Sequence, residues 1–101
     1  MKVSEPNEDV IEDILHALRV SPDNRVSDEV TALIMAASAD LQRQGVDVVD
    51  YNDPMTRQAV KLYCKAHYGY DSDSEKFLRA YESLSLGMAL LSDYDKGGDE
   101  S

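Results

Sequence analysis

The sequence predicts an all-α protein: a small bundle of about four helices with an ordered loop between helices two and three. Apolar residues recur with the spacing of a buried helix face in four segments. No alternation of apolar and polar residues persists over the length of a strand between turn residues. The chain has 101 residues, 43% of them hydrophobic, which is enough for one modest core and too little for two.

The first two helices are delimited by capping residues. The first should begin after Asn7, carry Glu8 and Asp9 near its positive end, and stop before Pro22. The second should begin with Ser27 as its N-cap and end at Gly45. Their predicted buried faces are Val10, Ile11, Ile14, Leu15 and Leu18 in the first helix, and Val30, Leu33, Ile34, Ala37 and Leu41 in the second. The segment after the second helix, VDVVDYN, is interpreted as an ordered loop that packs onto the helices.

The third helix should start with Asp53 as N-cap and Pro54 at the first helical position, where proline loses no required hydrogen bond, and end at Gly69. Its predicted apolar face comprises Met55, Ala59, Leu62, Tyr63 and Ala66, widened by Val60, Cys64 and His67. Three basic residues, Arg57, Lys61 and Lys65, form its clearest polar face.

The fourth helix should begin at Ser72, Asp73 or Ser74 and bury Phe77, Tyr81, Leu84, Met88 and Leu91. Its second half, LSLGMALL, is apolar on nearly every side. Because a four-helix monomer cannot bury all of that surface, we expect part of it to contact another chain. The predicted organisation is a flexible N-terminus over 1–6, one helical domain over 7–94 and a disordered acidic tail over 95–101.

Charge and cysteine content narrow the function classes. Twenty acidic and ten basic residues give a formal net charge of −10, which disfavours tight binding of nucleic acid in a basic groove. A single cysteine excludes an internal disulfide and suits a reducing compartment. No segment has the length or apolarity of a membrane span, and the N-terminus lacks a signal-peptide core.

Two patterns have the spacing of a reactive or metal site, and both are better explained by packing and capping. Cys64 and His67 lie three apart on one predicted helix, but no second Cys/His pair completes a zinc site and no third group orients a nucleophile. Asp71, Asp73, Glu75 and Glu82 match four positions of a calcium-binding loop, yet its sixth position, normally glycine, is Lys76. The sequence therefore predicts no catalytic residues, no metal and no cofactor.

The tyrosines and the basic residues of the third helix are candidates for contacts. Tyr63 and Tyr81 fall on helical stripes, which favours the core over an interface, whereas Tyr68, Tyr70 and Tyr94 lie at helix ends and are better interface candidates. The ridge of Arg57, Lys61 and Lys65 is by default a solvated face. Its functional interpretation is pairing with an acidic patch of a neighbouring copy.

The order of these elements resembles the head-tail connector family of tailed bacteriophages and prophages, whose members are also called adaptor, head-completion or DNA-packaging proteins. The similarity extends over residues 11–94. It rests on HALRVSPDNRVSDEVTALIMAASADLQRQGV, followed by DPMTRQAVKLYCKAHYGYDSDSEKFLRAYESLSLGMALLSDY.

The resemblance implies a structural subunit, not an enzyme. It would be made in the host cytoplasm and would join a dodecameric ring on the portal protein at the head-tail junction of the virion. The ring would complete the head, extend a channel through which DNA passes without sequence-specific binding, and dock a tail-side connector or stopper protein. On this interpretation Arg57, Lys61, Lys65, Tyr68 and Tyr70 are candidate subunit contacts. Leu86, Leu90, Leu91 and Tyr94 are candidates for the portal-facing surface.

A rival hypothesis starts from the net charge alone. A strongly acidic protein of a mobile element can mimic DNA and inhibit a nucleic-acid enzyme. The acids of this chain are, however, mixed with bases on each helix, and a DNA mimic has no use for an apolar end of the fourth helix. Competition with DNA for a basic enzyme would favour the mimic, whereas ring formation would favour the connector.

Overall fold

The computed structural model describes residues 6–21, 23–46, 49–68 and 73–91, and it confirms the all-α prediction. Four helices follow one another along the chain: α1 (Glu8–Leu18), α2 (Asn24–Gln44), α3 (Pro54–His67) and α4 (Ser74–Ala89). No strand occurs in these described ranges. Helices α2 and α3 each pack against the other three helices, and α3 is central because its contacts, above all those with α4, are the most extensive.

One hydrophobic core joins the four helices and the loop between α2 and α3. Its buried apolar side chains are Val10, Ile14, Leu15, Val30, Ile34, Ala37, Leu41, Val46, Tyr51, Ala59, Val60, Cys64, Tyr81 and Met88. Val46 and Tyr51 come from the loop, and the Tyr51 hydroxyl shares a hydrogen bond of 2.6 Å with Ser38 Oγ of α2. The described part of the loop therefore packs onto the helices as predicted.

Three predicted helix ends are confirmed because local chemistry decides them. Asn7 caps α1 by accepting a hydrogen bond from the Val10 amide at 3.0 Å. Asp53 caps α3 by accepting from the Thr56 amide at 2.9 Å, with Pro54 as the first helical residue. Gly45 ends α2 with φ of 113°.

The predicted start of α2 is wrong: the N-cap is Asp23, four residues before Ser27. Asp23 Oδ1 accepts from the Val26 amide at 2.9 Å, and the Ser27 amide donates to the Asp23 carbonyl at 2.8 Å, so Ser27 lies in the first turn. Aspartate caps as well as serine, and its negative charge also interacts favourably with the helix dipole. The additional turn lengthens α2 to 21 residues.

Some residues of the predicted apolar faces are exposed. Met55 is 38% exposed because Thr56 takes the buried position, where its hydroxyl donates to Asp53 Oδ2 at 3.1 Å. His67 at the end of α3 is exposed, and Leu91 is 44% exposed because α4 ends at Ala89.

At the start of α4 the structure places Asp73 at the N-cap position. Gly69 and Ser72, predicted to end α3 and to begin α4, lie outside the described residues.

Replacing Gly45 with alanine should destabilise the fold by about 1–2 kcal/mol, because an L-residue at this positive φ is strained. The added methyl would lie 3.6 Å from Ala89 Cβ, an ordinary contact, so the cost comes from the backbone. Gly87→Ala is the matched control: a Cβ there meets nothing within 4 Å, and alanine should stabilise α4 by about 0.5–1 kcal/mol. Urea unfolding of both variants measures the difference, and equal shifts of one sign would contradict this account.

Candidate interaction surfaces

The C-terminal end of α4 exposes leucines to solvent. Leu86 is 61% exposed, Leu90 78% and Leu91 44%. The opposite side of the same helix buries Tyr81, Ser85 and Met88 against the core. We call Leu86, Leu90 and Leu91 the apolar end. Its exposure agrees with the expectation that this helix has more apolar surface than the monomer buries.

Two of the three predicted basic contact residues are engaged within the chain. Arg57 Nη1 lies 2.9 Å from Asp13 Oδ2, and its Nε donates to the Tyr51 carbonyl at 2.7 Å. Lys61 Nζ lies 3.3 Å from the same Asp13 oxygen. The two side chains therefore connect α3 to α1, and both are partly buried. Sequence reasoning missed Asp13, because a partner 44 positions away leaves no local signal.

These contacts change the acidity of Asp13. Partial burial acts to raise its pKa, but the hydrogen bonds from Arg57 and Lys61 and their positive charges outweigh burial. The pKa of Asp13 therefore lies below its ordinary value of 3.8. Since the folded chain holds the carboxylate more acidic than the unfolded chain does, its contribution to stability is present above about pH 4 and is lost as the pH falls towards the folded pKa.

Asp13→Asn should lower the free energy of unfolding at pH 7, because Arg57 and Lys61 bind the ionised carboxylate. The variant should also lose less stability than the original protein as the pH falls from 5 to 2, because it has no carboxylate to protonate at this position. Urea unfolding across that pH range measures the change. Glu12→Gln, which removes an exposed carboxylate with no salt bridge to the described residues, is the control. An Asp13→Asn curve parallel to that of the original protein would show that this contact does not contribute to acid sensitivity.

Lys65 and Tyr68, the other described candidates for subunit contacts, lie elsewhere. They line a cavity of about 400 Å³ together with Ala17, Leu18, Arg19, Asp73 and Phe77. Lys65 Nζ lies 5.3 Å from the centre of the Phe77 ring, a cation–π contact. The remaining candidates, Tyr70 and Tyr94, lie outside the described residues.

The two patterns with reactive spacing do not assemble a site. Cys64 is fully buried, and burial raises the pKa of its thiol to about 12, so it is not a ready nucleophile. His67 is exposed, and its ring packs 4.3 Å from that of Tyr63. Glu75 pairs with Arg79 at 3.2 Å, and Asp71 lies outside the described residues. No cluster of three potential metal ligands occurs among the residues that the structure describes.

A polar network that sequence reasoning missed joins α2 to α4. Tyr81 Oη donates to Asp40 Oδ2 at 2.5 Å, and Gln44 Nε2 donates to the same oxygen at 2.6 Å. Arg43 forms a salt bridge with Asp40, and Ser85 Oγ donates to Gln44 Oε1 at 2.8 Å. Burial acts to raise the pKa of Asp40, but the hydrogen bonds, that from Tyr81 foremost, hold it below its ordinary value. The network fixes the position of α4, and therefore that of the apolar end.

The described residues form a small helical domain with exposed surfaces for contact, and comparison with protein families assigns such a role. A model of the family described as phage connector protein matches residues 10–95. The chain belongs to this family. The match covers the resemblance found in the sequence and confirms it. Comparisons with curated proteins and with solved structures gave no match.

Membership identifies the chain as a structural connector protein of a phage. Proteins of this family belong to the virion and associate with other head or tail proteins of the phage. None of the four described helices is both long and apolar enough to cross a membrane.

Proposed function

We propose that this connector forms a ring on the portal protein, where it completes the packaged head, extends the DNA channel and presents a docking surface to the next tail-side protein. The exposed apolar end of α4 is the observation that carries the proposal. Three exposed leucines at one helix end form an apolar surface of the kind that marks a binding site for another protein. In the ring, Leu86, Leu90 and Leu91, with Tyr94 beyond them, face the portal.

The net charge suits a channel component. A formal charge of −10 repels the phosphate backbone, so DNA moves past the ring without being held. The ring itself, a dodecamer in this proposal, depends on contacts between copies that involve the end of α3 around Lys65 and Tyr68. Arg57 and Lys61 already bind Asp13 of the same copy. In the ring they contact a neighbouring copy through the N–H donors that Asp13 does not use.

The DNA-mimic alternative has the same net charge in its favour. Two of the described carboxylates, Asp13 and Asp40, are however occupied by basic side chains of the same copy, so they are not displayed as a continuous phosphate-like row. Solubility and electrostatic repulsion of DNA explain the acidity without an enzyme to inhibit.

The proposal is tested by deleting the gene from its phage or prophage, inducing, and examining the lysate by electron microscopy. We expect separate tails together with heads that packaged DNA but failed to retain or connect it. Supplying the gene on a plasmid should restore joined virions. Normal virions from the deletion would overturn the connector role and bring the regulatory alternative forward.

A further inference from the structure

Helix α1 has opposite charges at its two ends. Glu8, Asp9 and Glu12, here called the acid end, are exposed, and none forms a salt bridge within the described part of the chain. Arg19 follows the other end of the helix and lines the cavity described above. The helix has 11 residues and therefore spans about 16 Å. No salt bridge joins the acid end to Arg19 of the same copy.

The cavity, here called the cationic cavity, lies where α1 and α3 end and α4 begins. Arg19 and Lys65 contribute two positive charges to it, and the N-terminus of α4 adds the partial positive charge of the helix dipole. Asp73 is the acidic lining residue within the described part. Phe77 and Tyr68 provide aromatic surface, so the cavity combines positive charge with apolar walls.

In a protein with twice as many acids as bases, Arg19 and Lys65 stand out because they line one cavity, whereas Arg25 and Lys76, the other described basic side chains without a salt bridge, do not line it. Four other basic side chains are already held by carboxylates of the same copy: Arg57 and Lys61 by Asp13, Arg43 by Asp40, and Arg79 by Glu75. Arg19 and Lys65 share one cavity, yet neither forms a salt bridge to any residue that the structure describes. A carboxylate-bearing segment is the chemical class that such a cavity accepts.

We propose that the acid end of one copy docks into the cationic cavity of the next copy. The inference rests on the proposed ring and names the surfaces that join its subunits. Because each copy uses one end of α1 towards one neighbour and the other end towards the next, the contact is head-to-tail. Contacts of that kind propagate around an axis and form a ring when the rotation closes. The apolar end of α4 takes no part and stays available to the portal.

The strength of this contact follows from the exposure of its charges. Salt bridges between exposed side chains are weak and are screened by salt, so isolated copies should associate only at high concentration and low ionic strength. A portal that binds many copies side by side raises their effective concentration and stabilises the same contact. The ring is therefore expected to assemble on the portal.

The test joins two full-length copies through a flexible linker, which raises the effective concentration to about the millimolar range. Amide NMR signals of the joined pair are compared with those of the single copy at low salt. Shifts confined to the acid end and to residues lining the cationic cavity are expected, and they should fade as salt is added. A joined pair with the spectrum of the single copy, or with shifts elsewhere on the surface, overturns the proposal.

Two charge-reversed variants provide matched controls. The cavity-reversed variant contains Arg19→Glu and Lys65→Glu, and the acid-reversed variant contains Glu8→Lys and Glu12→Lys. A joined pair of two cavity-reversed copies, or of two acid-reversed copies, faces like charges and should lose docking about tenfold or more. A mixed pair, with one copy of each variant, retains one acid end and one cationic cavity of original sequence, on different copies, and should keep the shifts. If the mixed pair loses them as well, the head-to-tail pairing is wrong.

Two further comparisons distinguish a failure of the docking proposal from misfolding of a variant and from a failure of the connector role. Arg19→Glu alone, at an exposed position, replaces the cavity-reversed variant if the second substitution disturbs the Phe77 contact and the fold. The gene-deletion phenotype does not depend on which surfaces join the copies. If the gene deletion gives disconnected heads but the joined pair shows no docking, the connector role stands and these subunit surfaces are rejected. If the deletion gives normal virions but the joined pair docks, the surfaces stand and the connector role is rejected.

Discussion

Replacing Tyr81 with phenylalanine should destabilise the protein by about 1.5–3 kcal/mol, the range for a hydrogen bond to a charged group. The Tyr81 side chain is 1% exposed, and its hydroxyl donates to Asp40 Oδ2 at 2.5 Å. Phenylalanine retains the packing of the ring but leaves the partly buried Asp40 carboxylate without this donor. Tyr81→Ala should cost more, about 3–5 kcal/mol, because a cavity is added to the lost hydrogen bond. Urea unfolding measures both changes.

Tyr63→Phe is the matched control for Tyr81→Phe. The two rings contact each other edge to face at 5.2 Å, but the Tyr63 hydroxyl makes no hydrogen bond to any residue that the structure describes. Its removal should therefore change stability by less than about 0.5 kcal/mol. Combining Tyr81→Phe with Asp40→Asn should cost less than the sum of the two single changes, because they share one interaction. Equal costs for the two tyrosine variants, or additive costs in the double variant, would refute the role given to this hydrogen bond.

The sequence could predict those parts of the fold that depend on residues close together in the chain. Helix existence, the caps at Asn7 and Asp53 and the end at Gly45 depend on neighbours within four residues, and these were predicted correctly. The start of α2 was not, because Asp23 and Ser27 are both competent caps four residues apart. Local rules cannot rank two candidates of similar strength.

Local sequence patterns could not predict the polar contacts between helices. Asp40 meets Tyr81 across 41 positions, and Asp13 meets Arg57 across 44. A search for helical faces counts apolar residues, so it passes over buried polar ones such as Thr56 and Ser85, which satisfy their hydroxyls by hydrogen bonds and pack in the core.

The same distinction holds for the candidate surfaces. An exposed apolar surface was predictable because the segment LSLGMALL is apolar on nearly every side, although Leu91, which follows the end of α4, was assigned to the buried face. The cationic cavity was not, since its lining comes from the ends of three helices that only the tertiary fold brings together.

Replacing Leu86 and Leu90 with lysine should leave the fold intact and abolish docking to the portal. Both side chains are mostly exposed, so each change should alter the free energy of unfolding by no more than about 0.5 kcal/mol. Burying a leucine at an interface contributes about 1.5–3 kcal/mol, so losing two weakens binding by roughly a hundredfold or more. Co-sedimentation with purified portal rings measures binding, and complementation of the gene deletion measures infectious titre.

A matched variant separates the loss of apolar contact from the gain of charge. Ala80→Lys with Ser83→Lys places two lysines at exposed positions of the same helix, outside the apolar end. This variant should bind portal rings and restore titre as the original protein does, because it keeps the leucines. If both double variants fail equally, added positive charge on α4 is what assembly rejects. If both succeed, Leu86 and Leu90 do not face the portal, and the exposed leucines must serve a different contact.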